Sequence, residues 1–152
     1  MISQKSKYAL KALMALAREY GKGPVQILDI AEQEKISRNF LELILLELKN
    51  QGLLHSRKGR RGGYSLAKPP QSVSVGQVLR MTGGTLALLP CVSKTAYRRC
   101  DECQDERSCS IRRVMKEVRD ATARILDSTT LADLVKSSQA AALGREASEF
   151  SI

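Results

Sequence analysis

The sequence predicts a mainly α-helical protein with one small β-hairpin near its middle. Two observations predict this fold class. Apolar residues recur at helical spacing through the first 51 residues and again after residue 110, whereas two short β-prone segments between them enclose a glycine-containing turn. The chain has 152 residues, of which 43% are hydrophobic, so it suits one folded domain with an attached arm and is too apolar to be disordered throughout.

Three helices are predicted ahead of the hairpin. The first runs from about Ser6 to Tyr20, where a segment containing Gly and Pro ends it. The second is short and covers residues 27–34, and the third covers residues 37–51 with Ser37 as its N-cap. A short helix, a tight turn and a further helix are the pattern of a helix-turn-helix.

A basic hairpin is predicted to follow, with strands over residues 53–56 and 63–67. The turn between them reads Arg57-Lys58-Gly59-Arg60-Arg61-Gly62, and no acidic residue occurs from position 55 to position 68. A helix-turn-helix followed directly by a basic two-stranded hairpin is a winged helix. This part of the chain is therefore predicted to bind double-stranded DNA.

Eight side chains of this pattern are candidates for contact with DNA. The first residues of a recognition helix reach base edges in the major groove, where Arg bonds guanine, Asn bonds adenine and Glu accepts from cytosine. Cations at a hairpin tip suit phosphates. The candidates are Ser37, Arg38, Asn39 and Glu42 in the helix and Arg57, Lys58, Arg60 and Arg61 in the hairpin. The alternative is that Ser37 only caps its helix and the other side chains are solvated.

The charge is concentrated in the same half of the chain. The net charge is +9, and residues 1–68 contain 13 Lys and Arg against 6 Asp and Glu, whereas residues 69–152 contain 12 against 10. This excess indicates a polyanion as partner, with a merely solvated basic surface as the alternative. No stretch approaches the roughly 20 apolar residues of a membrane span, and the N-terminus lacks the apolar segment of a secretory signal. We therefore expect a cytoplasmic protein with no membrane partner.

The second half is predicted to contain a short helix over residues 75–81, an irregular segment, and a long helix over residues 110–127. One face of the long helix is too apolar to face water and indicates pairing in a homodimer; it comprises Ile111, Val114, Met115, Val118, Thr122, Ile125 and Leu126. The predicted organisation is a winged domain at 1–70, a cysteine loop and dimerisation helix at 71–136, and a polar, Ala-rich frayed helix or tail at 137–152.

All four cysteines lie in the irregular segment, spaced as Cys91-x8-Cys100-x2-Cys103-x5-Cys109. In a cytosolic chain such clustering favours a metal or redox site over a disulfide framework. An iron–sulfur cluster, zinc and free or disulfide-switching thiols are the alternatives, although a structural zinc site usually has two close pairs and only one CxxC pair occurs here. An enzyme is not expected, because the strand-rich pattern of a thiol–disulfide oxidoreductase is missing around the CxxC.

Five segments together resemble one family of bacterial regulators. They are Gly-Pro-Val-Gln-Ile-Leu-Asp-Ile-Ala, Ile-Ser-Arg-Asn-Phe-Leu-Glu, Leu-Lys-Asn-Gln-Gly-Leu-Leu, Gly-Gly-Tyr-Ser-Leu-Ala-Lys-Pro-Pro and Ile-Leu-Asp-Ser-Thr-Thr-Leu-Ala-Asp-Leu. On these, residues 1–136 resemble the IscR/NsrR/CymR-type regulators, the Rrf family. The resemblance implies a homodimeric winged-helix transcription regulator that binds a palindromic operator. It also implies dimerisation through the long helix and, as in many members, an iron–sulfur cluster.

The resemblance also assigns roles to individual residues of the DNA-binding pattern. Ser37, Asn39 and Glu42 fall where the family reads bases. Lys58 falls where an Arg commonly enters the minor groove, so the charge is kept but the planar fork is lost. Lys35 replaces a common Gly in the turn of the helix-turn-helix, which costs roughly 1 kcal/mol if the position is left-handed.

For the cysteines, the resemblance implies that Cys91, Cys103 and Cys109 hold the cluster, expected to be 2Fe–2S, with Cys100 as an alternative or fourth ligand. Two departures concern the non-cysteine ligand. Arg112 stands where some relatives have His, and Lys7 where others have an acidic residue, and neither cation can ligate as it stands. The remaining donors are Cys100, Asp101, Glu102, Asp105 and Glu106. The alternative function is a cluster-free regulator controlled by thiol redox, a metabolite or a protein partner.

Overall fold

The computed structural model describes residues 2–149, and these form a mainly α-helical fold with one antiparallel hairpin. Its α-helices and strands are α1 (Gln4–Arg18), α2 (Ile27–Glu34), α3 (Arg38–Asn50), β1 (Leu54–Arg57), β2 (Gly63–Leu66), α4 (Val75–Met81), α5 (Ser110–Ser128) and α6 (Leu131–Glu149). Two short 3₁₀ turns lie at Pro70–Ser72 and Pro90–Val92. The hairpin register runs from Leu54 opposite Leu66 to Arg57 opposite Gly63. The predicted fold class is confirmed.

Most helix ends lie where local signals in the sequence put them. The helix α1 begins two residues earlier than predicted, because the Ser3 hydroxyl caps it by accepting from the Ser6 amide at 3.1 Å. The helix α6 continues to Glu149 through the region predicted as a frayed helix or tail, and beyond Leu134 its side chains are mostly exposed. Its alanines favour helix without tertiary packing. The last three residues of the predicted tail lie outside the described residues.

One large core joins the winged domain to the start of α6. Its fully buried side chains come mainly from α1, α2, α3 and β1, and include Leu13, Leu16, Ile30, Leu41, Ile44, Leu45, Leu48 and Leu53. Val73, Val78 and Leu131 belong to the same cluster. The Leu131 amide donates to the Val73 carbonyl at 2.9 Å, which fixes the start of α6 against the segment before α4. The predicted division at residue 70 stays an interpretation of the sequence.

The segment between α4 and α5 is built differently. A separate small cluster, formed by Ala87, Cys91 and Val92, packs against Leu89 and Met115. The helix α5 itself contributes no buried residue, although it is 19 residues long. Within residues 2–149, no helix is long and apolar enough to cross a membrane.

Candidate DNA-binding surface and cysteine pocket

The turn between α2 and α3 has the geometry that a helix-turn-helix needs. Lys35 ends α2 in the left-handed region, with φ 53° and ψ 47°, and is the one non-glycine residue with positive φ among residues 2–149. Ile36 follows with its side chain buried, and its amide donates to the Ala31 carbonyl at 3.1 Å. The strain at Lys35, roughly 1 kcal/mol, is therefore present and is offset by the anchoring of the next residue in the core.

The first turn of α3 presents the predicted base-reading residues to solvent. The Ser37 hydroxyl accepts from the Phe40 amide at 3.4 Å and so caps the helix. Arg38 and Asn39 are exposed, and the Arg38 Nε donates to the Glu42 Oε1 at 3.0 Å. These four residues thus lie on the outward side of one helix end, but Glu42 is ion-paired to Arg38 in the free protein.

Two leucines on the same helix, Leu43 and Leu46, have no role predicted from the sequence. Leu43 is 66% exposed and Leu46 is 47% exposed, although both belong to the nearly continuous apolar run of α3. The inward face of α3 is already filled by four other apolar side chains, at positions 41, 44, 45 and 48. The signal available in the sequence was helical phase, because positions 43 and 46 fall outside the face that those four define.

The wing, which we define as residues 54–66, carries its cations at the tip. Arg57, Lys58, Arg60 and Arg61 are exposed, and none of them has a carboxylate within 4 Å among the described residues. The tip is tight, since a Cβ at Gly62 would lie 2.0 Å from the Arg57 carbonyl oxygen. The Gln26 side chain donates to the Arg60 carbonyl at 2.7 Å and ties the tip to the start of α2.

The four cysteines line one pocket of about 360 Å³, which we call the cysteine pocket. Cys91 is buried in the second 3₁₀ turn, Cys103 and Cys109 are half-buried, and Cys100 is exposed. The Cys109 Sγ caps α5 by accepting from the Arg112 amide at 3.4 Å. The rest of the lining consists of two apolar residues, Leu89 and Ile111, and two charged ones, Glu102 and Arg112.

The positions of the Cys, Asp and Glu side chains show which of them could act as metal ligands in the pocket. Among residues 2–149, no three His, Cys, Asp or Glu side chains converge closely enough to hold a single metal ion. Of the acidic candidates, Glu102 lines the pocket. Asp105 accepts from the Arg107 amide at 3.0 Å, and Glu106 accepts from the Tyr97 hydroxyl and thereby raises the pKa of Tyr97.

Arginines surround the pocket and attach it to α5. The Arg99 Nη2 donates to the Cys103 carbonyl at 3.1 Å, and the Arg112 Nε donates to the Cys91 carbonyl at 3.3 Å. Two helical turns further along α5, the Arg119 Nη1 donates to the Val92 carbonyl at 2.7 Å, and the Arg119 side chain is only 12% exposed. These bonds hold the backbone around the pocket against guanidinium groups, two of which belong to α5.

The stripe predicted for dimerisation is uncovered in the single chain. Four of its residues are exposed to between 36% and 65%; they are Ile111, Val114, Val118 and Ile125. A row of exposed apolar residues along one helix face is typical of an interaction surface.

Comparison with known proteins identifies the family. A family model described as "Rrf2: Iron-dependent Transcriptional regulator" matches residues 2–137. The chain belongs to the Rrf2 family. It is 45% identical over 145 residues to an rrf2-like HTH-type transcriptional regulator of Rhodobacter capsulatus, which covers 93% of this chain and 97% of that protein. It is 34% identical over 133 residues to the HTH-type transcriptional regulator CymR of Bacillus subtilis, which covers 88% of each.

Solved structures of related regulators match the fold over most of this chain. The structure of CymR, described as the global cysteine regulator of B. subtilis, superposes with a TM-score of 0.75 at 31% identity, covering 90% of this chain and 96% of that one. The T. potens IscR structure gives a TM-score of 0.73 at 30% identity, with 93% and 90% covered. The chain is thus a DNA-binding transcription regulator of a family that is not an enzyme class. Because the family is described as iron-dependent while one relative is named a cysteine regulator, membership does not fix the signal.

Proposed function

We propose that this Rrf2 regulator binds a palindromic operator as a homodimer in the bacterial cytoplasm, and that an iron–sulfur cluster in the cysteine pocket controls its DNA affinity. The observation that carries the proposal is that all four cysteines line one pocket, which hydrogen bonds attach to the exposed helix α5. A change in that pocket reaches α5 directly, through Arg112 and Arg119.

The proposed DNA contacts divide into two groups. In the recognition helix, Ser37, Arg38, Asn39 and Glu42 face the bases, and Glu42 exchanges its ion pair with Arg38 for a cytosine amino group. In the wing, the cations Arg57, Arg60 and Arg61 contact phosphates, and Lys58 approaches the minor groove. Within residues 2–149 these cations have no carboxylate within 4 Å, which supports the assignment because their charges are available to the phosphates of DNA.

The proposed dimer pairs two α5 helices through their exposed stripes. A two-fold axis through this pair relates two recognition helices, which suits two successive major grooves of a palindrome. The pocket lies beside the first turn of α5, so its order affects how the two winged domains are spaced. Coupling of this kind typically amounts to roughly 1–3 kcal/mol in DNA affinity.

Cys91, Cys103 and Cys109 would hold the cluster, and Cys100 or Glu102 would complete the ligand set. When bound, the cluster supplies a one-electron redox change and an anionic centre. The chain's own contribution is to hold Cys91 in the 3₁₀ turn, to place Cys109 at the N-terminus of α5, and to fix the backbone carbonyls of Cys103 and Cys91 through Arg99 and Arg112.

A cluster-free thiol switch is the second candidate. The observation that favours it is the wide placement of the four thiols, no three of which meet at one point in the described part of the chain. In that case the exposed Cys100 is the thiol that an oxidant reaches first, and a second cysteine of the pocket resolves it by forming a disulfide. Iron is then not needed for control of DNA binding.

The deciding experiment is an ultraviolet–visible spectrum with iron and sulfide analysis on anaerobically purified protein. Visible absorbance with iron and sulfide is expected, and loss of Cys91, Cys103 or Cys109 to Ala should abolish it. Cys100→Ala and Glu102→Gln test the fourth ligand, because only the true ligand changes the spectrum. Protein that stays colourless after reconstitution overturns the cluster proposal, and DNA binding that then responds to oxidant identifies the thiol switch.

A further inference from the structure

The outward face of α3 carries an apolar strip in the middle of the proposed base-reading surface. Leu43 is 66% exposed and lies one helical turn after Asn39 and directly after Glu42. Leu46, 47% exposed, follows three residues later on the same side. The strip is surplus to folding, because the inward face of α3 is buried without it.

Single surface leucines are common, so exposure alone does not assign a role. Leu143 on α6 is 66% exposed as well, and nothing around it points to a ligand. Leu43 differs in its position, since it continues a face that begins with the polar residues at the start of the recognition helix. It also lies in the half of the chain that carries 13 Lys and Arg against 6 Asp and Glu, next in sequence to the cationic wing.

The charge and the shape together select one occupant for this strip. A protein partner would cover apolar residues equally well, but the half of the chain that contains α3 is strongly basic, with 13 Lys and Arg against 6 Asp and Glu, and the wing that follows α3 is cationic, which complements a polyanion. A thymine displays a C5-methyl group in the major groove, and that methyl is the apolar feature there which distinguishes it from the other bases. A leucine on a recognition helix therefore matches a feature that Ser, Asn or Glu do not read.

We propose that Leu43 is a specificity-determining residue that contacts the C5-methyl group of a thymine in each half-site, with Leu46 extending the same contact. The proposal rests on the placement of α3 in the major groove under the proposed function. Removing one methyl from such a contact weakens binding about fourfold per half-site, from the transfer free energy of one buried carbon.

The test uses duplexes selected by the wild-type protein from a library with a random 24-base-pair core. Each thymine of the selected sequence is replaced in turn by deoxyuridine, which lacks only the methyl group. The wild type is expected to lose about fourfold in affinity at one thymine per half-site and little elsewhere. Leu43→Ala should bind the thymine and deoxyuridine duplexes equally, whereas Leu143→Ala, the equally exposed control, should discriminate as the wild type does.

The outcomes separate this inference from the function on which it rests. If the wild type selects no duplex, the placement of α3 on DNA is wrong. If it selects duplexes but tolerates deoxyuridine at every position, or if Leu43→Ala discriminates as well as the wild type, the assignment to Leu43 is wrong while DNA binding stands. A change of oligomeric state in Leu43→Ala, with its thymine preference intact, would instead identify the strip as a protein-binding surface. Circular dichroism confirms that the variant is folded.

Discussion

The winged domain and the segment from the cysteine pocket to α5 are organised in opposite ways. In the winged domain every helix contributes to one core, and the candidate DNA-binding side chains project from a rigid support. Around the pocket, residues 83–109 contain a single 3₁₀ turn, and the 19 residues of α5 include none that is buried. The first region is complete within one chain, whereas the second leaves an apolar stripe of α5 exposed, which the proposed dimer would cover.

This difference shows where control can enter. A side chain held by a packed core keeps its position whether or not a ligand is bound, which suits the reading of bases. A segment with few buried contacts opens at low free energy, so it responds to whatever occupies or oxidises it. Arg80 on α4 connects this segment to the rest of the chain, because it donates two hydrogen bonds of 2.6 and 2.9 Å to Asp127 on α5. Within the segment, Arg119 on α5 donates to the Val92 carbonyl.

The largest effect is expected from Val118→Asp, which changes a residue at the centre of the exposed apolar stripe on α5. A carboxylate in the middle of the apolar stripe cannot be buried without a large penalty, so the two α5 helices separate. Light scattering should report a monomer, and affinity for a selected operator should fall about a thousandfold, toward that of non-specific binding. The winged domain should remain folded, because Val118 does not belong to its core.

Lys116→Asp is the matched control for this change. It places a carboxylate on the same helix, on the side away from the stripe, where the native residue is exposed. It should stay dimeric. A Val118→Asp protein that remains a dimer with full operator affinity would show that α5 is not the pairing surface.

A smaller effect, confined to the winged domain, is expected from Arg60→Ala combined with Arg61→Ala. Both side chains are exposed at the wing tip and are assigned to phosphates, so their loss should weaken binding to all duplexes alike. The slope of log affinity against log salt should fall by close to one unit per lost contact. Arg113→Ala with Arg145→Ala, which removes two cations elsewhere, should keep the slope. An effect limited to one base-pair position would contradict the assignment.

The sequence predicts the two regions unequally well for a physical reason. The ends of α2 and α4 are matched to the residue, because capping and helical phase are local. The exposure of Leu43 and Leu46 is hidden in a run of apolar letters, and only the packing around α3 separates them from the core. The full length of α6 is not fixed by the sequence, which allows a frayed helix or a tail over residues 137–152, because this Ala-rich segment has no apolar stripe that would predict a helix.

The site shows the same limit. The spacing of the cysteines predicts that they form one site, and the structure brings all four to a single pocket. The cysteine spacing does not predict that Glu102 is the acidic residue in this pocket. Nor does the sequence predict the hydrogen bond between Arg119 and Val92, which are 27 positions apart. Contacts of this kind depend on how the irregular segment folds back onto α5, and no periodic pattern records that path.

Within the uncovered region, Arg119→Ala should loosen the attachment of the pocket to α5. The change leaves the Val92 carbonyl without its charged donor, at a cost of about 1 kcal/mol. Amide hydrogen exchange over residues 91–93 should accelerate about fivefold, while exchange in α3 stays unchanged. Arg113→Ala removes an exposed cation from the same helix and is the control. Equal protection of residues 91–93 in both variants would show that the arginine does not hold this segment.

The smallest effect concerns the ion pair that joins α4 to α5. Two hydrogen bonds from Arg80 hold the pKa of the Asp127 carboxyl below its ordinary value, so the pair stabilises the fold above that value and the gain is lost as the pH falls through the folded pKa. Because both side chains are partly exposed, the coupling should be under about 1 kcal/mol.

Asn is the suitable replacement for Asp127, because it has nearly the same size. The Asp127 side chain packs closely on Gly76, where an added Cβ would lie 2.0 Å from the Asp127 Oδ1, so a larger side chain at position 127 would not fit. A double-mutant cycle of Arg80→Ala and Asp127→Asn, followed by urea unfolding, should give a constant coupling from pH 5 to 7 that shrinks below about pH 4. Coupling that persists at pH 2 would mean that packing, rather than charge, joins the two helices.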